Sequence, residues 1–162
     1  MSSSTSHPSI IEKRGDLEVY IERVFDAPRD LVFRLWTDPQ KQPEFWGPRK
    51  YETIVEQWDF KVGGAWRMIN KAGEEEHAFY GEFREIVAPE LIEWTFEYGG
   101  MPGHVSIERM TFEELEPGKT RTVAVSTFAH VLDRDGMFDS GMSSGVIELH
   151  ERFDELLERE RA

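Results

Sequence analysis

Residues 23–47 read RVFDAPRDLVFRLWTDPQKQPEFWG, and the plan of the chain follows from this stretch. An alternating segment ends at Phe25, and Asp26-Ala27-Pro28 turns the chain. Pro28 stands at a helix start, where a missing N–H costs nothing. Leu31, Val32, Leu35 and Trp36 then follow at helical spacing, with Asp30 near the positive end of the helix dipole. Asp38-Pro39 repeats the start signal for a second short helix, and Phe45-Trp46-Gly47-Pro48 stops it. Pro43 falls inside that second helix, so a broken or 3₁₀ segment is expected there.

Outward from this stretch the period is two. Leu17, Val19, Ile21, Arg23 and Phe25 alternate with Glu18, Tyr20 and Glu22, as in a half-buried strand. Strands are predicted over 51–60, 65–71, 77–87, 91–98, 105–115 and 120–129, with turns at Lys61 to Gly64, Ala72-Gly73, Ala88-Pro89-Glu90 and Glu116-Pro117-Gly118. Gly81 lies within a strand and marks a bulge or a close approach. From Phe138 the period changes: Phe138, Met142, Val146, Leu149, Phe153 and Leu156 recur at three and four residues. This predicts one amphipathic helix of ~22 residues, about 33 Å long. The order of strand, two short helices, six strands and a long helix implies an α+β fold. A curved antiparallel sheet of six to seven strands wraps around the C-terminal helix.

A curved sheet and a straight helix do not touch along their whole length, so a hollow is expected at one end. Pockets of roughly 300–1,000 Å³ with apolar and aromatic walls are the usual small-molecule sites. Five Trp and eleven Phe exceed what such strands need. The candidate lining residues are Trp46, Trp66, Phe79, Trp94, Met142, Gly145, Val146 and Phe153. Gly145 costs up to ~1 kcal/mol against Ala inside a helix. Either close approach of the sheet or a ligand offsets that cost, or Gly145 marks a kink or late helix start. Close approach is the preferred reading.

Composition narrows the function. A formal net charge of -13, from 19 basic and 32 acidic residues, excludes phosphate-backbone recognition, and anionic lipid is an equally poor partner. No apolar run approaches the ~20 residues of a membrane span. Zero cysteines exclude disulfides, a cysteine nucleophile and thiolate metal sites. The first nine residues, MSSSTSHPS, carry no secretory pattern, and the protein is read as cytoplasmic. Residues 1–10 are expected to be a disordered tail and 11–162 one domain.

Chemistry is scarce. No HExxH motif occurs, Glu74-Glu75-Glu76-His77 reads as a solvated turn, and neither metal nor cofactor is expected. Gly99-Gly100 precedes Met-Pro and not a helix, so it is no phosphate loop. His104 and His130 are possible at a rim. Glu108 and Arg109 point to opposite faces of one strand, so only one faces inward, and the outer sheet face is the preferred place for such groups. Ser126 has no histidine-acid pairing nearby in sequence, and no catalytic residue is assigned.

Arg23-Val24-Phe25, Trp36-Thr37-Asp38-Pro39, Trp46-Gly47-Pro48, Gly63-Gly64-Ala65-Trp66, Gly81, Arg84-Glu85-Ile86 and Pro89 occur in an order that resembles the START-like (SRPBCC, helix-grip) domains related to activators of the Hsp90 ATPase. The resemblance covers residues 17 to 160 and implies the helix-grip fold. It implies a small apolar or amphipathic ligand as partner. Alternatives are an enzyme of polyketide-cyclase or hydrolase type, less favoured, and a chaperone-associated module, although the chain lacks the additional N-terminal domain of eukaryotic activators. A homodimer is a modest expectation, since such domains often pair. Many relatives place a tryptophan where this chain has Val146, a change that enlarges the hollow or lets Trp94 fill it.

Overall fold

The computed structural model describes residues 7–161. Eight strands form one antiparallel sheet: β1 (Ile10–Arg14), β2 (Glu18–Phe25), β3 (Glu52–Trp58), β4 (Ala65–Ala72), β5 (Glu75–Val87), β6 (Leu91–Tyr98), β7 (Val105–Glu116) and β8 (Lys119–Phe128). Their spatial order is β1-β2-β8-β7-β6-β5-β4-β3. From β3 to β8 each strand pairs with the next, as short turns dictate, and only the β1–β2 hairpin joins out of sequence, beside β8. Helices α1 (Arg29–Trp36) and α2 (Gln42–Phe45) follow β2, and α3 (Val131–Asp139) and α4 (Met142–Arg161) follow β8.

The start of α1 follows from Pro28: its carbonyl accepts from the amide of Val32 at 3.0 Å, and Asp30 sits in the first turn. Val32, Phe33, Leu35 and Trp36 form its buried face. Pro43 does not break α2 but lies in the first turn of a four-residue α-helix, where its missing N–H is tolerated. The side-chain amide of buried Gln42 donates to the Trp36 carbonyl, and the Trp58 indole donates to that of Thr37. The two short helices are thereby fastened to each other and to β3.

Gly81 is required by close approach. A Cβ there would lie 2.0 Å from the carbonyl oxygen of Thr95, so no side chain fits. The irregularity in this strand comes just beyond it, as a register shift between Phe83 and Glu85.

Three expectations need correction. First, an additional strand, β1, begins at Ile10, so the ordered chain starts earlier than predicted. His7 Nε2 already lies 2.9 Å from Asp26, and Ser9 contacts α4. The rest of the expected tail, residues 1–6, lies outside the described residues. Secondly, the C-terminal helix does not begin at Phe138. That residue belongs to α3, and the chain turns at Ser140-Gly141, where Gly141 takes φ 90° in the left-handed region, before α4 starts at Met142. Thirdly, Gly145 is not forced by the sheet. A Cβ there would meet only Pro48, at 3.5 Å, an ordinary contact distance.

The core sits where the second half of α4 meets α1 and α2. Phe153 packs edge-on against Phe25, Trp36 and Phe45 with ring centroids 5.0, 5.1 and 4.9 Å away, and Leu156 and Leu157 complete the contact. Such pairs add ~1 kcal/mol each beyond area burial. Because the short helices take up this half of α4, its first half stands off from the sheet.

Candidate functional site

Between the first half of α4 and the concave face of the sheet lies a cavity of about 590 Å³. Its wall follows from strand alternation. Ser106, Glu108 and Met110 of β7 and Thr122, Ala124, Ser126 and Phe128 of β8 point the same way, joined by Trp94 and Phe96 of β6 and Phe79 of β5. Met142, Gly145, Val146, Leu149 and His150 of α4 form the opposite wall, and Trp46, Gly47, Pro48 and Lys50 border the space. The loop after α2 is held to α4 by Arg152, which donates to the carbonyls of Pro43 and Gly47 at 3.1 and 3.0 Å, and by the bidentate Arg49–Glu155 pair.

Of the eight residues predicted to line the hollow, the structure brings Trp46, Phe79, Trp94, Met142, Gly145 and Val146 together around it. Trp66 and Phe153 do not reach it. Trp66 is buried behind Trp94, with ring centroids 5.3 Å apart and its indole donating to Thr95 O, and Phe153 belongs to the core beneath the short helices. Trp94 does not swing across to fill the space beside Val146. It is held on the sheet by Trp66 and by the hydrogen bond its indole donates to Glu108.

The preferred outward placement of ionisable groups is overturned at Glu108. Its carboxylate lies on the cavity wall, half-buried, accepting from Trp94 Nε1 at 3.1 Å on one oxygen and from Ser126 Oγ at 3.2 Å on the other. These contacts follow from register, since Trp94, Glu108, Ser126 and Val19 are direct cross-strand neighbours. Burial pushes the Glu108 carboxyl above the usual carboxylate range, and the two neutral donors pull it back only in part. Arg109 points outward, to Glu85 and Glu93 at 3.1 Å each.

His150, not among the predicted lining residues, forms part of the cavity wall. It is buried, its Nδ1 lies 2.7 Å from Ser9 Oγ, and Phe25 meets its ring edge-on. Desolvation, with a smaller contribution from the Arg23 guanidinium, lowers its pKa to about 3, which keeps the imidazole neutral. Arg23 itself is 2% exposed and is answered by both carboxylate oxygens of Asp154, at 2.9 and 2.6 Å, and by the His7 carbonyl.

The other histidines lie elsewhere. His104 is exposed and paired with Asp133 at 2.8 Å, His130 is an exposed residue preceding α3, and His77 bonds Tyr98 and Glu75. Ser126 meets a carboxylate and not a histidine. Among the described residues no cluster of three metal-ligating side chains occurs, and no helix is long and apolar enough to cross a membrane.

Comparison with known proteins agrees with this architecture. No curated protein matches the chain. A solution structure of a protein from Arthrobacter aurescens is 26% identical over 93% of this chain and 91% of its own, with a TM-score of 0.84. A crystal structure of a Mycobacterium smegmatis protein is 24% identical, covering 93% and 97% of the two chains, with a TM-score of 0.82. DynU16, from the dynemicin biosynthetic locus, shares the fold at 17% identity and a TM-score of 0.67, and this chain spans about half its length, 48%. The family model described as Activator of Hsp90 ATPase homolog 1-like protein matches residues 26–158, so the helix that stands off its sheet is the helix-grip arrangement and the chain belongs to that family.

Proposed function

We propose that the chain binds a small apolar or amphipathic molecule in the cavity between the sheet and α4. One observation carries this reading: about 590 Å³ of space is walled by Phe79, Trp94, Phe96, Met142 and Val146, with polar side chains such as Ser106, Glu108, Thr122 and Ser126 interspersed on the sheet side. That volume lies within the range of pockets that enclose small ligands, and an apolar wall contributes ~25 cal/mol for each Å² of ligand surface it removes from water.

The test is uptake of a hydrophobic fluorescent probe by the wild type and by Val146→Trp, an indole built into the space. Wild type takes up the probe with a rise in melting temperature, and Val146→Trp folds but binds at least about tenfold more weakly. If both bind alike, α4 does not border the binding site and the reading fails.

Glu108 favours a second reading, an enzyme of the polyketide-cyclase type. A carboxyl raised by burial inside an apolar cavity is suited to move a proton. The fold that this chain shares with DynU16 occurs there in a biosynthetic locus. Glu108 would be the proton carrier, and turnover of an aromatic polyketide that Glu108→Gln abolishes separates this reading from simple binding.

A further inference from the structure

We propose that Glu108 makes the cavity selective for ligands whose polar group donates a hydrogen bond, such as phenols, alcohols or amines, and that the cavity rejects carboxylates of the same shape. This rests on the binding reading above. In its ionised form the Glu108 carboxylate offers about four lone-pair sites and no donor, whereas protonated it would donate to a ligand carboxylate. Trp94 Nε1 and Ser126 Oγ occupy one site on each oxygen. Because an indole N–H only donates, the oxygen facing Trp94 is fixed as an acceptor. The remaining lone pairs belong to a group on the cavity wall, and a ligand donor placed there completes them.

Charge works in the same direction. Among the described residues no basic side chain forms an ion pair with Glu108, whose partners are the two neutral donors alone. His150, the other titratable group on the inner wall, is held neutral. At the border Lys50 is turned over the Tyr51 ring, 4.9 Å from its centroid, and Glu148 adds a second carboxylate. A carboxylate ligand would thus lose its hydration, face Glu108 and find no cation to replace the water. A polar group buried without a donor also leaves Glu108 unfulfilled, which is how buried polar sites reject analogues lacking one hydrogen bond.

Three probes of one shape decide the matter by titration calorimetry near pH 7: 2-naphthol, which donates, 2-methoxynaphthalene, which does not, and 2-naphthoate, which is an anion. Wild type is expected to bind 2-naphthol about tenfold or more tightly than either of the others. In Glu108→Gln the amide oxygen still accepts from Trp94 and the new N–H₂ donates, so 2-naphthoate gains about tenfold and 2-methoxynaphthalene, whose ether oxygen only accepts and carries no charge, gains less. Equal binding of all three probes by wild type, or tighter binding of 2-naphthoate than of 2-naphthol, overturns the assignment to Glu108 and leaves the cavity reading intact. Binding of none overturns both. The wild-type comparison stands even where the variant does not fold.

Discussion

Among the described residues, two ionisable side chains on the concave face of this sheet, Arg23 and Glu108, are treated in opposite ways. At the closed end Arg23 is answered by both oxygens of Asp154 and by the His7 carbonyl, and its guanidinium lies over the Phe25 ring, 4.9 Å from the centroid. At the open end Glu108 faces the cavity with two neutral donors and, among the described residues, no counter-charge. A structural charge is saturated because an unpaired ion in a dry core costs several kcal/mol. A carboxyl that faces a cavity and has only neutral protein donors is placed where a ligand can reach it.

The contrast breaks most visibly at Arg23. Asp154→Ala removes the only side-chain anion that, among the described residues, pairs with the buried Arg23 guanidinium, and is expected to lower stability by about 3 kcal/mol in chemical denaturation. The carboxylate is 35% exposed, so the loss stays at the lower end for a buried pair. A change under about 0.5 kcal/mol, the scale of ordinary surface substitutions, would make the closed end no different from the surface.

Acid tests the same end through His150. Its folded pKa of about 3 lies below the ordinary 6.5, so the unfolded chain takes up the proton first. The stability from keeping His150 neutral is therefore present above the ordinary value and is lost as pH falls from there toward 3. Between about pH 6.5 and pH 4 the loss is on the order of 3 kcal/mol. Glu108, shifted upward, has the opposite sign: holding it ionised costs stability that returns as pH falls. A His150→Gln variant should show a flatter acid limb than wild type, and parallel limbs would remove His150 from this account.

The smallest effect sharpens the open end. Gly145→Ala places a methyl at ordinary distance from Pro48, so the helix should gain up to about 1 kcal/mol in chemical denaturation. A loss of stability would mean that α4 is held more closely over the cavity than its 3.5 Å contact implies.

Much of this is legible in the sequence. Strands with one wet face declare themselves by alternation, and seven of eight did. β1 did not, because it is a five-residue edge whose residues are almost all exposed, so no pattern of burial marks it. α3 was hidden for a related reason: Val131 and Leu132 stand in solvent, and its one buried side chain is Arg134, bonded to the carbonyls of Gly15 and Glu18. The orientation of Glu108 was readable in principle from its phase with Met110 and Phe112, both buried. Val105 and Ile107, apolar on the opposite face, blurred that phase. No sequence signal says which half of α4 the short helices cover, and so Phe153 was assigned to the cavity when it belongs to the core.

The spatial order of the strands also has a consequence in time. Strands β3 to β8 can zip up as they emerge from the ribosome, each beside its predecessor. β2 has to wait: Ala27 at its end accepts from Thr120, 93 residues later, and Arg23 finds Asp154 only 131 residues on. The hairpin that carries Arg23 is thus the first part of the sheet synthesised and the last to find its place, because distant closures are entropically late. Until α4 arrives to cover it, the apolar concave face remains in water, and a nascent chain is most in need of protection in that interval.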